Sequence, residues 1–224
     1  MFIIPCKYTD DSPIFECVNS IIRFHPNEKI LIVDSYSDDD SYLINFNQYE
    51  NVIVSKFKNK HYEFGALYYA YEEFSNEKYY ALIHDSIILK RDWSEFINND
   101  ITYSLLYFEE FGPFQTPEYN YVKEVIDITE YHPHNNIGHF GVFGSMAVYK
   151  RDAIEKFSKK GLFKSLLPNN KFESQMAERI TSICLKQDGY NIIENSIEGD
   201  YINKLIYVNS DQLTYFRKIF LGRQ

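Results

Sequence analysis

Lys29-Ile-Leu-Ile-Val-Asp34 and Tyr79-Tyr-Ala-Leu-Ile-His-Asp85 decide the fold, because each is an apolar run that leads directly into acid. Runs of this kind are typical of strands buried at the centre of a parallel sheet. The carboxyl ends of such strands form the edge where α/β proteins bind their ligands. We therefore predict that Asp34 and Asp85 open into one cavity, where the first holds a sugar hydroxyl or a base and the second holds a metal on a diphosphate.

Strand and helix patterns alternate along the chain, which predicts one α/β domain with a parallel sheet covered on both faces. In the first part we predict strands over Met1–Pro5, Lys29–Asp34, Val52–Lys56, Tyr79–His84 and Thr102–Phe108, and helices over Ile14–Ile22 and Tyr62–Phe74. In the second part we predict helices over Glu118–Ile128, Arg151–Lys159 and Phe172–Gln187, a loop over Tyr131–Phe143 and a strand over Val142–Tyr149. The change of pattern near residue 110 indicates two halves of a single domain.

The composition is that of an acidic globular protein with many aromatic residues. Of 224 residues, 45% are hydrophobic and 25% are charged, and the net charge of -9 argues against general binding to nucleic acid or to an anionic membrane. The 20 Tyr and 18 Phe can fill a core or stack on flat ligands, and an AT-rich coding sequence explains them equally well.

Cysteine content and the apolar runs indicate a cellular compartment. Cys6, Cys17 and Cys184 are few and widely spaced, which fits a reducing environment and no zinc site. The amino-terminal residues lack a basic leader, and no run reaches the ~20 apolar residues that a membrane helix needs. We therefore expect a cytoplasmic protein without a membrane span.

Four segments, in this order and spacing, resemble one protein family. They are Phe2-Ile-Ile-Pro5 with Asn19-Ser-Ile21, then Ile32-Val-Asp34-Ser-Tyr-Ser-Asp38-Asp39, then Leu82-Ile-His84-Asp85-Ser86, and finally Gly144 to Asp152 with Glu173 to Arg179 and Gly189-Tyr190. The second segment is similar to a family segment written VVDDGSxDD, and the third falls where the family has an Asp-x-Asp motif. The chain thus resembles the nucleotide-sugar glycosyltransferases of the GT-A fold, especially the family-2-like group and the small enzymes of large DNA viruses.

The resemblance implies a fold and an activity. The fold would be GT-A: a Rossmann-like, mixed but mostly parallel sheet flanked by helices, with a nucleotide-binding half over residues 1–110 and an acceptor-binding half over residues 111–224. The activity would be inverting transfer of a sugar from a UDP- or GDP-linked donor to a glycan or glycoprotein acceptor, helped by Mn²⁺ or Mg²⁺. A viral member would work in the host cytoplasm.

The resemblance also implies roles for residues on the nucleotide side: Pro5, Tyr8, Asp34, Lys60, His84 and Asp85. Asp34 would accept hydrogen bonds from base or ribose, Tyr8 could stack on the base, and Lys60 could offset diphosphate charge. Asp85 would hold the metal. His84-Asp85-Ser86 departs from the family motif because it keeps a single carboxylate. Ordinary explanations stay open for each residue: a loop cap, a core aromatic or a solvated helix charge.

On the acceptor side, the resemblance implies roles for His139, Gly144 and a carboxylate base near the start of the last helix. Glu173 and Glu178 are the candidates, and since they are five residues apart they point about 140° away from each other. Only one can face the site, and we favour Glu173 because it is nearer the helix start. His132-Pro-His134 and His139 form a small histidine cluster, of which one member could complete the metal sphere.

Two other functions stay open. A catalytically degenerate GT-A domain would keep affinity for nucleotide or glycan without turnover, and the altered motif at His84-Asp85-Ser86 supports it. A sugar-1-phosphate nucleotidyltransferase shares a similar sheet, but such enzymes open with a Gly-rich loop after the first strand. Pro5-Cys-Lys-Tyr-Thr-Asp-Asp-Ser contains no glycine, which argues against that class.

Overall fold

The computed structural model describes residues 1–109, 116–132, 140–201 and 210–219. Its strands, in chain order, are β1 (Phe2–Cys6), β2 (Ile30–Asp34), β3 (Val52–Val54), β4 (Tyr79–Leu82), β5 (Ile87–Leu89), β6 (Tyr103–Ser104), β7 (Tyr107–Glu109), β8 (Phe140–Val142), β9 (Ala147–Lys150) and β10 (Phe216–Lys218). Its α-helices are α1 (Ile14–Phe24), α2 (Tyr62–Glu73), α3 (Ser94–Ile97), α4 (Thr116–Asp127), α5 (Arg151–Lys159), α6 (Leu162–Ser165) and α7 (Lys171–Gln187). Short 3₁₀ helices cover Ser41–Gln48, Phe143–Ser145 and Ser210–Gln212.

The described residues form a six-stranded central sheet in the order β3-β2-β1-β4-β9-β6. Strands β3, β2, β1 and β4 run parallel, while β9 runs antiparallel to both β4 and β6. The sheet is therefore mixed and mostly parallel, as the sequence predicts. Two small antiparallel ladders, β10-β5 and β7-β8, lie outside it.

Helices cover both faces of this sheet because successive residues of each strand point to opposite sides. Ile3, Leu31 and Leu82 pack on the face that carries α2 and α7, together with α4, α5 and α6. Ile4, Ile32 and Ala81 pack on the opposite face against α1 and the 3₁₀ helix Ser41–Gln48. Both faces are thus apolar, which explains why these strands read as continuous hydrophobic runs.

Several strand predictions prove too long. The predicted strands Val52–Lys56 and Tyr79–His84 end early, at Val54 and at Leu82. The predicted strand Thr102–Phe108 divides into β6 and β7, and Val142–Tyr149 is broken by the turn at Phe143–Ser145. Within the predicted strand Thr102–Phe108, Leu105 and Leu106 are adjacent and are both buried in the cluster on the α1 face of the sheet. A straight strand in a two-layered fold cannot bury two adjacent side chains on one face, so the chain leaves the central sheet there.

The longest helix, α7, has 17 residues. None of the described helices combines the length and apolarity needed to cross a membrane.

Candidate active site

A cavity of about 550 Å³ lies at the carboxyl edge of β1 and β2. Its described lining residues come from the ends of these strands, the start of α2 and the turn before α7: Pro5, Lys7, Ser35, Tyr36, Asn59, Lys60, Tyr62, Glu63 and Asn169. This is the edge where open α/β sheets bind ligands, and the volume is within the range of small-molecule sites. The sequence predicted two of these wall residues as nucleotide-binding, Pro5 and Lys60.

Asp34 and Asp85 are not among the described residues that line this cavity. Their exposed fractions are only 1% and 3%. Both side chains lie on the α1 face of the sheet, with Cys6 between them, whereas Pro5 and Ser35 point to the α2 face and reach the cavity. The prediction that both carboxylates open into one cavity is therefore wrong in its geometry, because the alternation of side chains along each strand places them behind the cavity wall.

Asp34 instead organises the loop that follows β2. Its carboxylate accepts hydrogen bonds from the Ser37 backbone N–H at 3.3 Å and from the Tyr42 hydroxyl at 3.2 Å. Its carbonyl accepts the Asn59 N–H at 2.8 Å. Asp34 thus joins the two loops that carry Tyr36 and Lys60 into the cavity.

Asp85 is held within the protein by neutral donors. The Ser12 hydroxyl donates to its Oδ2 at 2.9 Å, and the Cys6 thiol lies 3.4 Å from the same oxygen. Burial, with the nearby Asp85 carboxylate, raises the pKa of the Cys6 thiol, so that the sulfur stays protonated and can donate.

His84 points to the α2 face and links the end of β4 to the cavity wall. Its Nε2 lies 3.2 Å from Oε1 of Glu63, and its Nδ1 lies 3.3 Å from Nζ of Lys218, which also donates to Ser86 at 2.8 Å. The imidazole therefore lies between the Lys218 ammonium at Nδ1 and the Glu63 carboxylate at Nε2. Burial opposes ionisation of Glu63, but the bonds from His84 and Ser174 outweigh it and hold the pKa of Glu63 below its ordinary value.

These contacts bear on the predicted metal. Across the described ranges, no three His, Cys, Asp or Glu side chains group so that they could hold an ion. Each ring nitrogen of His84 faces a charged side chain, Ser86 accepts from Lys218, and Asp85 is almost fully buried against Ser12. In this arrangement the donor set does not fit a divalent ion, which needs accessible oxygen ligands. The metal at Asp85 stays a prediction.

The two candidate bases on α7 have different surroundings. Glu173 closes the start of the helix: its N–H donates to the Asn170 side chain at 3.0 Å, and its carboxylate accepts from Asn170 at 2.8 Å and from the Asn169 N–H at 2.7 Å. This reciprocal arrangement is a capping interaction.

Glu178 is one turn beyond Ser174, whose hydroxyl lies 3.4 Å from the cavity-wall carboxylate of Glu63. Burial, and then the Glu178 carboxylate, raise the pKa of Tyr201, which stacks on Phe143 at 4.0 Å. Glu178 therefore lies on the same side of α7 as Ser174.

The remaining predicted residues have other positions. The Tyr8 ring stacks on Tyr42 with centroids 4.3 Å apart, so one of its faces is covered by protein. Gly144 packs directly on His84: a Cβ at this position would lie 2.5 Å from the imidazole. His139 and His134 lie outside the described residues.

Sequence reasoning missed Lys7, Asn59 and the two exposed tyrosines Tyr36 and Tyr62. Tyr36 carried a recognisable signal, because it stands where the resembled segment VVDDGSxDD has glycine. Its backbone φ is 59°, in the left-handed region that glycine adopts without cost. Lys7 and Asn59 carried no comparable signal.

The sequence matches no protein-family model and no curated protein. Among solved structures, similarity is found to S. aureus TarS 1-349 (TM-score 0.48, 13% identity, 80% of this chain and 54% of that chain). Similarity is also found to the apo WbbM bifunctional glycosyltransferase (TM-score 0.47, 13% identity, 80% of this chain and 37% of that chain) and to GalNAc-T7 with UDP, GalNAc and Mn²⁺ (TM-score 0.41, 13% identity, 48% of this chain and 22% of that chain). The chain thus spans about half the length of the TarS structure and a smaller share of the other two. At these scores and identities the likenesses establish no shared activity or ligand.

Proposed function

We propose that this chain is a nucleotide-sugar glycosyltransferase whose donor occupies the cavity at the carboxyl edge of β1 and β2. The observation that carries the proposal is the makeup of that cavity: two lysines and two exposed tyrosines surround about 550 Å³ at the ligand-binding edge of a mostly parallel sheet. Cations suit a diphosphate and aromatic rings suit a base. Of the described wall residues, Pro5, Ser35 and Tyr36 belong to the segments that resemble the glycosyltransferases.

The diphosphate would be met by lysine side chains. Lys7 and Lys60 are both exposed at the cavity, and negative charge grows on the diphosphate as the bond to the sugar breaks. The resemblance implies a divalent ion at Asp85 for this role. Because the described donor set does not fit such an ion, we assign the charge stabilisation to the lysines.

Acceptor activation requires a carboxylate that removes a hydroxyl proton. We assign this role to Glu178, since Glu173 is engaged in capping α7 and Glu178 lies on the same side of α7 as Ser174, which contacts the cavity wall at Glu63. The acceptor, a glycan or a glycoprotein, would approach from the side of Gly144, and direct attack by its hydroxyl would invert the anomeric carbon. Asp34 would act as a positioning residue, because it joins the loops of Tyr36 and Lys60 without reaching the cavity.

The first experiment is a thermal-shift panel of UDP, GDP, ADP and CDP, each with Mn²⁺ and with a chelator. We expect at least one nucleoside diphosphate to raise Tm, and the corresponding UDP- or GDP-sugars to be turned over. If none of the nucleotides shifts Tm or binds by calorimetry, the proposed function is wrong.

A second candidate is a degenerate domain that binds nucleotide without catalysis. The burial of Asp85 and the capping role of Glu173 favour it, because both residues correspond to positions that would be active in the resembled family. This candidate predicts binding of a nucleoside diphosphate with no hydrolysis or transfer from any sugar donor.

A further inference from the structure

Tyr36 has a backbone conformation that is unfavourable for tyrosine. Its φ of 59° lies in the left-handed region, where a non-glycine side chain is disfavoured and a bulky one is uncommon. The flanking residues hold it there: the Ser35 N–H donates to the Cys6 carbonyl at 2.7 Å, and the Ser37 hydroxyl accepts the Tyr8 N–H at 2.7 Å. Glycine would fit this loop with less strain.

The fold gains little from the ring at this position. The side chain is 45% exposed and lines the cavity, with Nζ of Lys60 4.9 Å from the ring centroid. Because hydrophobic stabilisation scales with the area removed from water, a ring that is nearly half exposed stabilises the fold weakly. Strained conformations that persist in such a place are concentrated at ligand sites.

The same combination occurs a second time on the same cavity. Tyr62 has a φ of 51°, is 37% exposed and also lines the cavity, and its carbonyl accepts a hydrogen bond from the Asn59 side chain at 2.5 Å. The third non-glycine residue with positive φ among the described residues is Ser145, which is 2% exposed and whose carbonyl accepts from the Tyr149 hydroxyl at 2.6 Å. Ser145 is thus a buried position with comparable backbone strain that does not line the cavity.

We infer that the ring face of Tyr36 opposite Lys60 is a stacking platform for the base of the bound nucleotide, while Lys60, whose Nζ lies over the other face, meets the phosphates. This inference deepens the proposed function, since it names the part of the donor that this wall of the cavity recognises. A base stacked on an aromatic side chain covers the ring that the fold leaves exposed, and each base has a flat face that can do so. Binding would then compensate for the strain at residue 36.

The test separates the ring from the backbone. Tyr36→Gly should raise Tm of the ligand-free protein by about 2–4 °C, because it relieves the left-handed strain. The same variant should weaken UDP or GDP binding by about tenfold or more, because it removes the stacking surface. Tyr36→Phe should keep affinity within about twofold, since stacking needs the ring and not the hydroxyl. Ser145→Gly is the matched control: Tm should rise by a similar amount, and nucleotide affinity should not change.

Inorganic pyrophosphate serves as a probe without a base. Tyr36→Gly should leave pyrophosphate binding unchanged, whereas Lys60→Met should weaken both pyrophosphate and nucleotide. Calorimetry or competition against a fluorescent nucleotide gives these affinities.

The possible failures are distinguishable. If the native protein binds a nucleoside diphosphate and Tyr36→Gly binds it equally well, the platform is wrong while the proposed function stands. Equal loss of pyrophosphate and nucleotide in Tyr36→Gly would mean that the loop itself is damaged, which also overturns the platform. If Tm does not rise in Tyr36→Gly, the left-handed backbone at residue 36 does not cost the protein stability, and this part of the inference is overturned. If the native protein binds no nucleoside diphosphate, both the inference and the proposed function are overturned.

Discussion

Nε2 of His84 lies 3.2 Å from Oε1 of Glu63, and this contact connects the end of the fourth central strand to the wall of the cavity. The imidazole is also fixed from behind, where Gly144 leaves no room for a side chain. The position of the β4 end relative to the start of α2 therefore depends on the His84 imidazole.

Gly144→Ala tests this packing. An added Cβ would lie 2.5 Å from the His84 ring, and the backbone φ of 60° is already unfavourable for alanine. We expect a loss of about 2–4 kcal/mol in the free energy of unfolding, measured by urea denaturation. Gly161→Ala is the control, since its φ of 83° is comparable but nothing lies within 4 Å of its added Cβ. Equal losses in the two variants would show that His84 can move away at no cost.

Substitution of Glu173 should affect mainly stability, whereas substitution of Glu178 should affect mainly turnover. Glu173→Ala removes the capping bonds at Asn169 and Asn170 and should lower the free energy of unfolding by about 1 kcal/mol with little change in turnover. Glu178→Ala should lower turnover of the sugar donor by about 100-fold or more. Urea unfolding and a donor-hydrolysis or transfer assay on the same preparations give both quantities. If Glu173→Ala abolishes turnover while Glu178→Ala retains it, the assignment of the base to Glu178 is wrong.

Asp85 should behave as a structural carboxylate. Because it is 3% exposed and accepts a hydrogen bond from Ser12 at 2.9 Å, Asp85→Ala leaves a buried hydroxyl without its acceptor and should cost about 1–3 kcal/mol of stability. Nucleoside diphosphate affinity of the native protein should differ less than about threefold between Mn²⁺ and a chelator, a change worth less than 1 kcal/mol. A gain of tenfold or more with Mn²⁺ that Asp85→Ala abolishes would show instead that Asp85 turns to hold a metal.

Lys150 predicts a pH dependence on the alkaline side. Its Nζ donates to the carbonyls of Phe96 and Ile97 at 2.7 and 3.1 Å at the end of α3, and burial, only partly opposed by Asp100, lowers the pKa of Lys150 to about 8. The unfolded lysine keeps a pKa near 10.5, so between about pH 8 and pH 10.5 the unfolded chain binds more protons than the folded protein. The contribution of Lys150 to the free energy of unfolding therefore rises with pH in this range. We expect the stability of the native protein relative to Lys150→Met to increase by about 1–3 kcal/mol from about pH 7.5 to about pH 9.5. Urea unfolding at each pH measures the difference, and a constant difference would mean that the lysine titrates normally.

The layout of the sheet could be predicted because local patterns report it directly. Continuous apolar runs such as Ile30–Asp34 identify strands buried on both faces, and the spacing of Ile14, Val18 and Ile21 identifies the helix that covers them. The bounds failed where two adjacent residues pack on the same face, as Leu105 and Leu106 do, because periodicity cannot indicate that a strand changes sheets.

The wall of the cavity was predicted only in part. Pro5 and Lys60 came from the resemblance, whereas Tyr36 and Tyr62 were hidden among 20 tyrosines and are distinguished by their backbone conformation and exposure. Glu173 met the sequence criterion for a base, its place near a helix start, but the same place makes it a capping residue.

The sequence by itself determined that Asp34 and Asp85 follow central strands of the sheet, because continuous runs of apolar residues identify strands buried on both faces. Only the tertiary structure decided which side of the sheet each side chain takes. Neighbouring residues of a strand point in opposite directions, so that one position separates Asp34, sealed against Tyr42, from Ser35 at the cavity. Because both faces of this sheet are buried, the residues that point to one face are as apolar as those that point to the other. The sequence therefore does not tell which face opens into the cavity, and the packing of α1, α2 and α7 decides it.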